Sequence, residues 1–185
     1  MDKKKTVALY GGSFDPPHVG HVAIIQALRA LNFIDKVVVM PTFLNPFKEN
    51  FTAKAEVRLL WLQKIFQSFD NIEISDFEVK QKRKVPTIET VRFLQQKYKK
   101  IYLVIGADNL NSLKEWYKFN ELQNLVEFIV ATRDNIEVPH NFQTLNVDID
   151  VSSSLLRQDL DITKLPKECA KEIAHYYKEH NAKKN

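Results

Sequence analysis

Cysteine is almost missing from this chain: Cys169 stands alone among 185 residues, so no internal disulfide can form. No apolar run approaches the ~18 residues that a membrane-spanning helix needs, and the Met-Asp-Lys-Lys-Lys start leads straight into a strand-like segment. Neither a span nor a secretory leader is expected, and a cytoplasmic protein is. A surplus of one charge is missing too, once its position is considered. Three lysines and one aspartate in residues 1–5, with Lys183 and Lys184 at the other end, account for the whole net charge of +4. A neutral body between basic ends makes a poor polyanion-binding face, so nucleic acid is not expected as a partner. The clusters Lys80/Lys82/Arg83/Lys84 and Lys97/Lys99/Lys100 read as solvated loop and helix-end charge. Length alone suffices for one domain over 1–185 that buries roughly two-thirds of its unfolded surface.

Glycine is also scarce, and its placement is informative. Three of the four glycines, Gly11, Gly12 and Gly20, fall within "VALYGGSFDPPHVGHVAII", residues 7–25; the fourth is Gly106. Around them, short β-branched runs alternate with helical patterns. Strands are expected at Thr6–Tyr10, Lys36–Met40, Asn71–Ser75, Ile101–Ile105, Glu127–Thr132 and Gln143–Val147, most of them continuously apolar, as strands buried on both faces are. Helix faces are expected from Ile24, Leu28 and Leu31; from Leu59, Leu62, Phe66 and Phe69; from Ile88, Val91, Leu94 and Tyr98; and from Cys169, Ile173, Tyr176 and Tyr177. The alternation predicts an α/β fold, a doubly wound, mostly parallel, Rossmann-like sheet with helices on both faces. Ligands bind such sheets outside the carboxyl ends of the strands, where strand order reverses.

The opening segment lies at such an end. Gly11 and Gly12 are expected to follow the first strand, where glycine permits positive φ and a close approach to bare N–H groups. His18 and His21, three apart, are expected on one face at the start of the first helix, with Gly20 leaving room between them. Two imidazoles, amides and a helix N-terminus suit phosphate. Neither G-x-G-x-x-G nor G-K-[ST] is present. A plain β–α turn with two surface histidines is the bland alternative, and a metal site lacks a third ligand.

"GGSFDPPHVGH" resembles the H-x-G-H signature of the nucleotidyltransferase superfamily, and within it the opening of the bacterial nicotinate-nucleotide adenylyltransferase family. Further landmarks resemble that family in order along the chain. "NPFK" resembles a proline-rich segment ending in a basic residue, with Phe47 where a histidine is common, and implies a phosphate contact for Lys48. "VPTIET" resembles a Ser-Tyr-Thr-x-Asp-Thr segment at the pyridine pocket; Thr87 and Thr90 match, Glu89 replaces Asp, and Val85 and Pro86 depart. "IGADNL" implies a nucleotide-binding role for Gly106 and Asp108, where Asp108 read alone would cap the next short helix. Trp116 in "EWYKF" fits the tryptophan that stacks on the pyridine ring. "VSSSLLR" resembles Ile-Ser-Ser-Thr-x-Ile-Arg, with Ser152, Ser153 and Ser154 at a helix start and Arg157 beyond.

The resemblance implies transfer of the adenylyl group of ATP to nicotinate mononucleotide. His18, His21, Lys48 and Arg157 are the implied catalytic set. Gly11, Gly12, Ser13, Phe14, Gly106, Asp108 and Ser152 to Ser154 would hold ATP, and Thr87, Trp116 and Arg133 the mononucleotide. Mg²⁺ would arrive with ATP, since no acidic cage is apparent, and self-association into a homo-oligomer stays open. Pantetheine-phosphate adenylyltransferase and a non-catalytic nucleotide- or RNA-binding module on the same fold are the rival readings.

Overall fold

A computed structural model describes residues 5–132, 137–147, 149 and 151–182. Six strands, β1 (Thr6–Gly12), β2 (Lys36–Pro41), β3 (Ile72–Ile74), β4 (Lys100–Gly106), β5 (Glu127–Thr132) and β6 (Gln143–Asn146), form one sheet in the order β3-β2-β1-β4-β5-β6. Every neighbouring pair is parallel. The expected strands are all present, with ends shifted by one or two residues. The chain adds strands outward from β1 to β3, then returns to place β4 on the other side of β1. That reversal sets the carboxyl ends of β1 and β4 side by side, with Tyr10 opposite Val104.

Alternate residues of the strands feed two cores. On one face Ala8, Tyr10, Val37, Val39, Val104 and Ile129 pack against α1 (Val19–Arg29), α2 (Ala55–Phe66), α6 (Ser153–Gln158) and α7 (Ala170–Ala182). On the other, Val7, Leu9, Val38, Met40, Leu103 and Val130 meet α4 (Thr87–Gln95) and α5 (Phe119–Leu125), with the short helix α3 (Phe77–Gln81) beside them. The period-two register thus buries both sheet faces, which is why the strands read as unbroken apolar runs.

Helix faces depart from expectation in detail. In α1 the buried apolar side chains are Ile25 and Leu28, with Ile24 only half-buried. In α2 the inner face is Arg58, Trp61, Leu62, Ile65 and Phe66, while Leu59 is half-buried. The α4 face is as expected, while at α7 Ile173 and Tyr177 are buried with Cys169 just before the helix, and Tyr176 is half-buried. Among the described residues no helix is long and apolar enough to cross a membrane, and the basic residues of both lysine-rich clusters lie on the surface, while Tyr98, between Lys97 and Lys99, is buried. Lys80 pairs with Asp76, Arg83 with Glu89 and Lys100 with Glu127.

Candidate active site

No glycine of this chain has positive φ, contrary to the expectation for Gly11 and Gly12. Both are the last residues of β1 rather than part of the loop. The left-handed position falls on Phe14 (φ 49°), whose turn sends the ring inward, where it is 1% exposed. Gly12 is needed to let it in: a Cβ there would lie 3.2 Å from the ring. Gly11 is different. The nearest chain atom to a Cβ at Gly11 is the Met40 carbonyl at 3.8 Å, so the protein itself leaves room there, at the rim of a cleft.

The Phe14 ring stands edge-on to His21, with centroids 4.8 Å apart. His21 in turn stacks on His18 at 3.6 Å and 21° between planes. His18 is the N-cap of α1, and the two histidines form a reciprocal capping box. His21 N–H donates to His18 Nδ1 at 3.4 Å, and His18 N–H donates to His21 Nδ1 at 3.2 Å. A backbone amide can only donate, so both Nδ1 atoms accept and each neutral ring carries its proton on Nε2. Capping, the job usually given to Ser or Glu, here fixes two imidazoles as Nε2–H donors at the positive end of a helix. Gly20 permits the arrangement: a Cβ there would meet Val151 Cγ1 at 2.9 Å and the His18 ring at 3.1 Å.

Two cations reach this corner from distant parts of the chain. Lys48 Nζ donates to Ser13 Oγ at 3.4 Å. Arg157 donates to the Asp15 carbonyl and, at 3.1 Å, to Ser154 Oγ. Ser153 Oγ donates to the Pro16 carbonyl at 2.9 Å, and Ser152 caps α6 by accepting from Leu155 N–H. The late serine motif is thereby hydrogen-bonded to the opening loop, 137 residues away in sequence. Burial lowers the Lys48 pKa, and Arg157 close by lowers it further. Cations gathered against their own repulsion stabilise an anion placed among them.

A buried network unread in the sequence holds the loop. Asp15 accepts from Thr52 N–H (2.8 Å), from Ala53 N–H (2.9 Å) and from the Tyr177 hydroxyl of α7. Arg58, 1% exposed, donates to the carbonyls of Ala53 and Phe43 at 2.9 Å and to that of Ser13. Burial drives its pKa down, and Asp15 opposes the fall. Nothing local marks either residue as buried, because their partners lie tens of residues away.

Across the carboxyl ends of β1, β2 and β4 opens a cleft of about 170 Å³, and the expected acceptor residues Thr87 and Trp116 both line it, with Gly106 at its edge. Thr87 starts α4 after Pro86, and Val85 and Pro86, the two departures from the family pattern, form wall. Two buried polar atoms of the cleft, Trp116 Nε1 and Thr42 Oγ1, have no hydrogen-bond partner among the described residues. Such atoms are costly unless a ligand or water completes them. Asp108 is exposed and does not cap: the cap position of the 3₁₀ segment Ala107–Glu115 is Gly106, without a side-chain bond. Arg133 lies outside the described residues. Cys169 is buried and its thiol is pushed up to about 12 by burial, which suits packing rather than nucleophilic chemistry.

Imidazole donors locked at a helix start, where an all-parallel sheet reverses its strand order, define a nucleotidyltransferase, and the cytidylyltransferase-like family matches residues 9–159. A "Probable nicotinate-nucleotide adenylyltransferase" of Sulfurimonas denitrificans is 57% identical over 178 residues, covering 96% of this chain and 98% of that protein. A protein of the same name from Campylobacter fetus is 45% identical, over 96% of this chain and 99% of its own length. The chain belongs to the nicotinate-nucleotide adenylyltransferase family. Its fold matches that of the Plasmodium falciparum nicotinic acid mononucleotide adenylyltransferase complexed with NaAD, at a TM-score of 0.76 and 21% identity, over 94% of this chain and 98% of that one.

Proposed function

We propose that the chain joins ATP and nicotinate mononucleotide to give nicotinate adenine dinucleotide and pyrophosphate, a step of NAD biosynthesis, in the cytoplasm. A phosphate oxygen of the mononucleotide attacks the α-phosphorus of ATP, and the bond from that phosphorus to the bridging oxygen breaks, its electron pair leaving with pyrophosphate. A phosphomonoester has its second pKa near 6, so the nucleophile is already anionic at neutral pH and requires no general base. The chain's part is placement and charge. Holding two reactants in line can lower a barrier by about 7–11 kcal/mol, and a preorganised donor to the developing charge by about 3 kcal/mol.

The observation that carries this reading is the reciprocal cap, which presents His18 and His21 as Nε2–H donors, beside a loop to which Lys48 and Arg157 are bound. His21 and His18 would donate to the α-phosphate as charge builds, and Lys48 and Arg157 to the departing pyrophosphate. Gly11 and Gly12 would let phosphate come close to the end of β1, and Ser13, Ser153 and Ser154 would line the same approach. Phe14, being buried, would act through its backbone and as the prop behind His21. On the other side, Gly106 and Asp108 would contact the nucleotide, and Trp116 and the Thr87 segment the pyridine ring. Mg²⁺ belongs with ATP here. Asp15, the carboxylate of the opening loop, is committed to two backbone amides and Tyr177.

The test is pyrophosphate release from ATP with a panel of acceptors. Turnover with nicotinate mononucleotide is expected; robust turnover with phosphopantetheine and none with the mononucleotide would overturn the assignment.

A further inference from the structure

The cleft that holds Thr87 and Trp116 contains a carboxyl group to which the sequence assigns no role. Glu78, on α3, lines the cleft and is only 5% exposed. Its Oε1 accepts from the Thr90 hydroxyl at 2.6 Å. The pyridine ring proposed for this cleft carries a carboxylate of its own, and two like charges in a dry pocket oppose binding. A protonated Glu78 removes the opposition and becomes a donor.

We propose that Glu78 is a specificity-determining residue of the acceptor pocket: protonated, it donates to the carboxylate of a nicotinate ring, and ionised, it accepts from the amide of a nicotinamide ring, so its proton sets the choice between the two mononucleotides. The inference rests on the acceptor reading above. The Thr90 hydroxyl serves both states by holding Oε1, which leaves Oε2 to carry or release the proton.

Among the described residues no cation pairs with Glu78. From α4 come the uncharged Thr90 and Glu89, whose like charge is itself paired with Arg83 at 2.6 Å. On α3, Asp76 and Lys80 pair with each other at 2.8 Å. Lys84, on the loop to α4, donates to the Pro46 carbonyl. The strands offer Leu9 and Met40 to the cleft, and the loop offers Val85, all apolar. Of the charges on α2, which also packs on α3, Arg58 donates to the carbonyls of Ala53, Ser13 and Phe43, Lys64 pairs with Glu172, and Glu56 is exposed. Burial accordingly pushes the Glu78 carboxyl up to about 7, with Glu89 adding to the rise and the Thr90 hydrogen bond opposing it.

The experiment measures kcat/KM for nicotinate and for nicotinamide mononucleotide, each with ATP, between pH 6.5 and 8.5, in the wild type and in Glu78→Gln. Where nicotinamide mononucleotide turns over too slowly, dissociation constants of the two mononucleotides, both measured without ATP, replace the two kcat/KM values. The ratio between the two acceptors cancels the titration of ATP, of the ester phosphate and of the imidazoles, which both reactions share. A single group titrating near 7 makes the wild-type preference for nicotinate fall at least about 20-fold across the range. Glu78→Gln keeps an N–H donor that does not titrate, so its preference for nicotinate stays level. A wild-type ratio that is level with pH overturns the inference, whether or not the variant folds, and so does a Glu78→Gln ratio that falls like the wild type's. A wild type active on neither mononucleotide overturns the acceptor reading itself and the inference with it.

Discussion

Replacing Gly20 with alanine separates the cost of folding from the cost of misplacing the imidazoles. The added methyl would lie 2.9 Å from Val151 Cγ1 and 3.1 Å from His18 Cε1 and Nδ1. Carbon atoms in ordinary contact sit about 3.5–4.0 Å apart, so α1 and its neighbours must part by roughly 0.5–1 Å. Overpacking of this kind costs about 1–3 kcal/mol, and exchanging glycine for alanine within a helix returns about 1 kcal/mol. The net loss of stability is therefore small, about 0–2 kcal/mol, or a fall in Tm of no more than about 8 °C for a domain of this size. Activity has no such compensation. The bond from His21 N–H to His18 Nδ1 is already long at 3.4 Å, and a displaced His18 ring carries the stacked His21 with it. Misplacement by ~1 Å can cost about 10² in rate, so kcat for pyrophosphate release should fall about 100-fold while thermal unfolding stays cooperative. A Gly20→Ala protein with wild-type kcat and a raised Tm would show that the contact between α1 and Val151 does not position the imidazoles.

Two further outcomes follow from other parts of the structure. Trp116→Ala should raise KM for nicotinate mononucleotide about 10-fold, since stacking on an aromatic ring contributes about 1–3 kcal/mol, and leave KM for ATP nearly unchanged; equal losses for both substrates would make Trp116 a core residue only. Asp15→Asn leaves one of three buried donors unmatched and should cost about 2–4 kcal/mol in urea unfolding, whereas an unchanged midpoint would remove the Asp15–Tyr177 link from the fold's support.

The architecture was legible because both faces of a parallel sheet are buried, and a strand buried on both sides is visible as an apolar run wherever its partners lie. Arg58 is not legible as part of the α2 inner face, because a guanidinium reads as surface unless its acceptors are known, and those are carbonyls at Ser13, Phe43 and Ala53. Asp15 is illegible for the same reason: its amides and Tyr177 converge only in three dimensions. The glycines at the end of β1 and the start of α1 have a cause other than the expected one. Gly12 and Gly20 make room for Phe14, Val151 and His18 rather than adopting positive φ. Glu78 carried no signal at all, since a lone glutamate in a charged stretch gives no hint that it faces a cleft.

In the proposed reaction His21 is the central donor to the reacting phosphate. Steady-state pyrophosphate release from ATP and nicotinate mononucleotide, measured for His21→Ala alongside circular dichroism, tests this directly. Loss of one such donor costs about 10²–10³ in kcat, and that fall in a variant with a native spectrum is the predicted result; a folded His21→Ala protein that turns over at the wild-type rate would contradict it.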